Sequence, residues 1–150
     1  MQIARRLVLK AGVALAAIAA LPRTLLAAEW PVSAFSAETA AGALNGLLGT
    51  DQAVPSDQID LDLPVIAENG AVVPITISTS LENVESISIV VEKNPRPLAA
   101  TFEIMPGTQP EISSRIKMAE TSDVMAVIKT DSAIYSTSKQ VKVTIGGCGG

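Results

Sequence analysis

The sequence predicts an all-β domain: an immunoglobulin-like antiparallel β-sandwich of about seven strands, with a short N-terminal helix and a flexible C-terminal GGCGG arm. Three observations predict it. Seven segments between residues 59 and 145 place apolar side chains at every second position. Turn-forming groups separate them at intervals of about 8–14 residues. No gap between them holds the dozen or more residues that a crossover connection in a parallel sheet requires.

The chain opens outside that domain. Arg5 and Arg6 are followed by Leu7 and Lys10, then by an apolar run from Ala11 to Leu21, Pro22, and small residues at Ala27 and Ala28. A charged start, a short apolar stretch and a small-residue exit describe an export signal. The run is shorter than the roughly 20 apolar residues that a membrane span needs. The arginine pair assigns residues 1–28 to the twin-arginine route, with cleavage after Ala28 and a periplasmic destination.

Residues 29–50 form an N-terminal segment with one helix, SAETAAGALNGLLG over 36–49. Ser36 is placed as its N-cap and Glu38 suits the first turn. Ala37, Ala40, Ala41, Leu44, Leu47 and Leu48 recur at helical spacing, and Gly49 suits the C-terminal cap. Gly42 and Gly46 weaken it.

The sandwich domain is assigned to residues 51–145. Ile59, Leu61 and Leu63 alternate in the first strand (59–64), and Val73, Ile75 and Ile77 share a face of the second (72–79). The third, 84–93, is rich in β-branched residues (Val84, Ile87, Ile89, Val90, Val91). Leu98, Ala100, Phe102 and Ile104 mark 98–104, and Ile112, Ile116 and Met118 mark 111–118. Segments 123–130 and 139–145 complete the set, the last with Val141, Val143 and Ile145 on one face. Turns fall at Glu68-Asn69-Gly70, at Asn94 to Pro97, at Met105-Pro106-Gly107, and at the Thr, Ser and Asp groups of 121–123 and 130–132. The helix and the 84–93 strand are the candidate partner-facing surfaces, each competing with a place in the core.

Charge and composition narrow the function. The signal carries four of the eleven basic residues and none of the fifteen acids, so the mature chain keeps seven against fifteen, a net charge of −8. An acidic chain without a basic cluster has no electrostatic footprint for nucleic acid or an anionic membrane. There is no histidine and one cysteine. That argues against a zinc, copper or haem centre in this chain, and it excludes Ser–His–Asp and Cys–His catalysis.

The cysteine is Cys148, two residues from the end, between Gly146-Gly147 and Gly149-Gly150. These four glycines have no side chains to bury a thiol and the widest backbone freedom. Exported proteins seldom keep an exposed thiol idle, and an odd cysteine in one points to an intermolecular bond or a reactive group. The nearest charges in sequence are the terminal carboxylate and Lys142. A neighbouring anion disfavours the thiolate, so the tail needs a partner's active site to activate it. The residues read as a carrier arm (146–150), with Cys148 as the covalent attachment point and no catalytic or metal-binding residue. Two rivals stand beside this reading. One is an interaction module with a structural intermolecular disulfide; the other is a thiol enzyme, for which no activating cation is visible beside the thiol.

The tail VTIGGCGG, with RIKMAETSDVMAVIK (115–129), KNPRPLAATFEI (93–104) and the twin-arginine leader, resembles the SoxY family of periplasmic thiosulfate oxidation. The resemblance implies a heterodimer with a SoxZ-like β-sandwich subunit. The twin-arginine route moves folded proteins, so that subunit is expected to bind before export and to be carried across without a signal of its own. It implies that a c-type cytochrome complex couples thiosulfate to Cys148 as an S-thiosulfonate. A dimanganese hydrolase would then release sulfate and a molybdenum–haem sulfane dehydrogenase would oxidise the remaining sulfur. Haem, manganese and molybdenum would belong to those partners, and this chain would carry no cofactor.

Overall fold

The computed structural model describes residues 30–145. The chain divides into two compact units, Met1–Trp30 and Pro31–Gly150, and the architecture below is that of the second. Arg5 and Arg6, and the whole of the 1–28 signal, lie outside the described residues.

The described residues of the second unit hold two short helices, α1 (Val32–Ser36) and α2 (Ala40–Leu48). Nine strands follow: β1 (Val54–Pro55), β2 (Ile59–Asp62), β3 (Ile66–Ala67), β4 (Val73–Thr79), β5 (Val84–Val91), β6 (Leu98–Glu103), β7 (Glu111–Ile116), β8 (Ser122–Thr130) and β9 (Ile134–Val143). They build two sheets. The larger runs β1-β9-β8-β5-β6, with β3 also on β9, and the smaller runs β2-β4-β7. Every pairing is antiparallel except β1 and β3, which run parallel to β9. Since β8 occupies one edge of β9, the two short strands cap the other, β1 at Tyr135–Ser136 and β3 at Lys142–Val143.

All seven expected strands are present, and the period-two pattern gives the reason. Ile59 and Leu61, Val73, Ile75 and Ile77, Ile87, Ile89 and Val91, and Val124, Ala126 and Ile128 all turn into one core between the sheets. A second, smaller core lies on the opposite face of the large sheet. There Ala34, Ala43 and Leu44 of the helices cover Val90, Leu98 and Val127. Strand β5 is thus buried on both faces, and the helices lie on their own domain. Neither of the two candidate partner-facing surfaces is a free one.

The helical segment differs from expectation. The helix expected over 36–49 is found as α2, starting only at Ala40 because Ala37 is extended (ψ 145), and the unexpected α1 precedes it. Ser36 is not a cap; it ends α1, its hydroxyl donating to the Val32 carbonyl at 2.7 Å. Thr39 caps α2 instead, accepting from the Gly42 amide at 3.0 Å. Gly49 closes α2 in the left-handed region (φ 77), as expected. The Arg96 guanidinium donates to the Ser36 carbonyl and stands 3.8 Å from Glu38, tying the β5–β6 turn to the break between the helices.

The last strand also differs. It starts at Ile134, five residues before the expected 139, and its ladder with β8 ends at the Ser122–Val141 pair. Its first half reads Ile-Tyr-Ser-Thr-Ser, too polar for alternation to be visible; the order comes from pairing with β8.

Candidate functional site

The residues that carry the expected chemistry, Cys148 with Gly146, Gly147, Gly149 and Gly150, lie outside the described residues. What the fold defines is the end of the domain from which that tail departs. Strand β9 delivers it there, held in the sheet by β8 on one edge and by β3 on the other.

Past the last β8 pair the chain is still held. The Val143 amide donates to Thr121 Oγ1 at 2.9 Å. The Thr144 amide donates to the Ala67 carbonyl at 3.1 Å, and its hydroxyl to the Glu68 carbonyl at 3.0 Å. The Gly70 amide donates to the Ile145 carbonyl at 2.8 Å, while the Gly70 carbonyl accepts from the Met118 amide at 2.7 Å. The Glu68-Asn69-Gly70 turn, legible in the sequence only as a turn, is therefore the fastening of the chain end. Its own shape is set by Asn69, whose side-chain oxygen accepts from the Ala71 amide at 2.9 Å.

Exposed apolar side chains gather on the same segments: Val65 (79% exposed), Ile66 (54%), Val72 (54%) and Ile145 (69%). Three of the four flank the turn that holds the chain end, and the fourth is the chain end itself.

Charge is unevenly placed. The β5–β6 turn, with Lys93 and Arg96, is joined to residues 117–119: Asn94 Nδ2 donates to the Lys117 carbonyl at 2.8 Å, and the Ala119 amide to Asn94 Oδ1 at 2.9 Å. Lys117 is one residue from Met118 and so from Gly70, and Lys142 pairs with Ile66 in register. These cations share the departing end with Glu68, Glu92 and Glu120, so charge is near balance there. At the opposite end the strand termini bring together Asp57, Glu82, Glu85, Glu103, Glu111 and Asp131, with Lys129 as the cation among the described residues. Sequence distance alone offered Cys148 one basic neighbour, Lys142. Tertiary folding brings Lys93 and Lys117 to the same end, and no signal local to the tail could have shown it.

Lys129 Nζ lies 2.6 Å from Glu85 Oε2. The hydrogen bond to Glu85, then its charge, hold the Lys129 pKa above its ordinary value. Both side chains are exposed by more than two-fifths, and the pair stands at the end opposite the tail. It is a surface interaction, not part of a reactive centre. Among the described residues no group of three His, Cys, Asp or Glu side chains is placed to hold a metal ion. No helix there is long and apolar enough to cross a membrane.

A family model described as "Sulfur oxidation protein SoxY" matches residues 44–148, and so includes Cys148. The solved structure of the sulfur carrier protein SoxY from Chlorobium limicola f thiosulfatophilum is 37% identical, with a TM-score of 0.62. The alignment covers 69% of this chain and 94% of that one. A superoxide reductase (neelaredoxin) from Ignicoccus hospitalis is similar in fold alone, at 13% identity and a TM-score of 0.52, over 57% of this chain and 79% of that one. No curated protein sequence matches.

Proposed function

The chain belongs to the SoxY family, and from that premise we propose that it carries sulfur intermediates covalently on Cys148 while partner enzymes oxidise and hydrolyse them. Family membership makes it a sulfur carrier of the sulfur-oxidation (Sox) system, a system of several proteins. The attachment point, the partners and the compartment are the proposal.

The chemistry asks little of this chain beyond the thiol. In the loading step the Cys148 thiol loses its proton and forms an S–S bond to the outer sulfur of thiosulfate. Two electrons leave to a c-type cytochrome complex, and a cysteine S-thiosulfonate remains. Water then cleaves the bond between that sulfur and the sulfonate, releasing sulfate and leaving a persulfide on Cys148; a dimanganese hydrolase serves this step. A molybdenum–haem sulfane dehydrogenase would then oxidise the outer sulfur of the persulfide to a sulfonate. Three waters would supply its oxygens, and six electrons and six protons would leave. A second hydrolysis would release that group as sulfate and regenerate the thiol. The chain itself is a substrate holder in this scheme, not the enzyme. A SoxZ-like subunit completes the carrier, and the twin-arginine signal takes it to the periplasm.

One observation carries the reading: the family match runs through Cys148, the chain's one nucleophilic thiol. Glycines on both sides leave room for the backbone to enter a narrow site. The test is an intact mass spectrum, without reductant, of the mature protein from cells grown on thiosulfate. Adducts in steps of sulfur and sulfonate are expected, removed by reductant and absent from Cys148→Ser. That variant should lose pathway activity and keep its fold. A bare thiol throughout, or a single disulfide to one fixed protein, would overturn the carrier in favour of a structural link.

A further inference from the structure

We infer that Asn69–Gly70 is a spontaneous deamidation site gated by the end of β9: Asn69 loses its side-chain amide when the Ile145 carbonyl lets go of the Gly70 amide. This modification site is independent of the carrier reading.

The chain holds two Asn–Gly pairs, Asn45–Gly46 and Asn69–Gly70. A glycine after asparagine leaves the following nitrogen unshielded by a Cβ, so in an unfolded chain the two pairs are comparably reactive. The fold separates them. Asn45 sits in α2, where its Nδ2 donates back to the Ala41 carbonyl at 3.0 Å. That aims its carboxamide toward the helix N-terminus, away from the Gly46 nitrogen. Asn69 is exposed, and its carboxamide is turned forward over Gly70, with Oδ1 accepting from the Ala71 amide at 2.9 Å. Forward is the direction of attack. The Ala71 N–H also polarises the side-chain carbonyl and would stabilise the oxyanion that forms there.

The electrophile is in place, and the nucleophile is what the fold withholds. The buried Gly70 donates its amide to the Ile145 carbonyl at 2.8 Å, and its own carbonyl accepts from the Met118 amide at 2.7 Å. A nitrogen held in this way keeps its proton and cannot swing toward Asn69 Cγ.

That hold is as firm as the chain end and no firmer. The β3–β9 ladder finishes with the Thr144 amide on the Ala67 carbonyl at 3.1 Å. Beyond this rung the Thr144 hydroxyl donates to the Glu68 carbonyl at 3.0 Å, and Ile145 is held by the Gly70 amide. Ile145 is 69% exposed, so burial does not reinforce these bonds. Chain ends of this kind open locally at lower free energy than the domain unfolds.

Once the Gly70 amide is free, its nitrogen gives up its proton to water and attacks Asn69 Cγ. A C–N bond forms, the bond to the side-chain nitrogen breaks, and ammonia leaves. Water then opens the resulting succinimide at either carbonyl, giving aspartate or isoaspartate at 69 with no change of oxidation state. The ring nitrogen carries no hydrogen, so the bond to Ile145 cannot re-form while the ring stands. The isoaspartate form lengthens the backbone of the turn. The reaction therefore records, irreversibly, how often the end of β9 has opened.

The test ages the mature protein at mildly alkaline pH and follows both asparagines by peptide mapping, with isoaspartate scored by an isoaspartyl methyltransferase. Thr144→Val removes the hydroxyl bond and keeps the last rung. Thr144→Pro removes both, and the preceding Val143 is already extended as proline requires. In urea the two sites should react at similar rates. In the folded wild type Asn69 should be slower than in urea by about tenfold or more, since the hydrogen bonds on Gly70 must open first. Thr144→Val should speed Asn69 about two- to tenfold, the factor one net hydrogen bond supplies, and Thr144→Pro further, with Asn45 unchanged in both. Asn69 reacting as fast in the folded protein as in urea would overturn the gate, as would variants that leave its rate unchanged. Asn45 and Asn69 accelerating together would also overturn it, because whole-domain unfolding would then be the controlling step.

Discussion

At the scale of single residues, the proposed chemistry rests on one thiol, that of Cys148. The polar side chains that the fold does use are local fasteners: Thr39 for α2, Asn69 for the 68–70 turn, Thr121 and Thr144 for the chain end. The Lys129–Glu85 pair gives a pH prediction of known sign. Its partner raises the Lys129 pKa above the ordinary 10.5. The stability it contributes is therefore fully present below about pH 10.5 and fades as pH rises through the folded-state value. Because the pair is well exposed, solvent screening keeps the contribution small. Lys129→Met should cost about 0.2–1 kcal/mol at pH 7, measured by denaturant unfolding, and less at a pH well above 10.5, where the lysine loses its charge. An equal cost at both pH values would show that the lysine stem, not its charge, matters.

At the scale of elements, the two helices show how propensity and packing can oppose each other. Gly46 lowers the intrinsic stability of α2, and replacing it with alanine should gain about 0.5–1 kcal/mol on that ground alone. In place, an added Cβ would come within 3.0 Å of the Ala34 backbone nitrogen and Cα. Those are backbone atoms of α1, which cannot turn aside as a side chain could. Ala34 itself is fully buried against the sheet residues Val90, Leu98 and Val127. Gly46→Ala should therefore destabilise the domain, by about 1 kcal/mol net as the helices are pushed apart. A stabilised variant in chemical denaturation would mean that α1 moves freely and does not close the second core.

At the scale of the whole molecule, the distribution of charge is the feature most unlike the sequence impression of an evenly acidic chain. The strand ends gather Asp57, Glu82, Glu85, Glu103, Glu111 and Asp131 at one end against Lys129, and place Lys93, Lys117 and Lys142 at the other among fewer carboxylates. Repulsion within the acidic end opposes folding and is screened by salt over about 10 Å at 0.1 M. Raising sodium chloride from about 10 to 300 mM should raise the melting temperature by about 2–5 °C, the equivalent of roughly 1 kcal/mol for a domain of this size. A melting temperature that is flat or falls with salt would show that the carboxylates are spaced too widely to interact. The near-neutral end is the one at which β9 finishes.

Much of this was legible in the residues themselves. Alternation determined all seven long strands, because each side chain is assigned to core or solvent by its parity alone; Gly49 determined the end of α2, because its left-handed conformation is cheap only for glycine. The quoted segments and the GGCGG terminus determined the family. Other features depend on partners distant in sequence. The polar first half of β9 is a strand because β8 lies beside it, and β1 and β3 exist because the far edge of β9 needs hydrogen bonds. The extended Ala37 delays the start of α2 past the point where the periodicity begins, and α1 before it is marked by no periodicity. The fastening of Thr144 and Ile145 joins residues more than seventy positions apart, through backbone groups that every residue carries and no sequence pattern marks. Periodicity records which way a side chain faces; only the folded chain decides which backbone it meets.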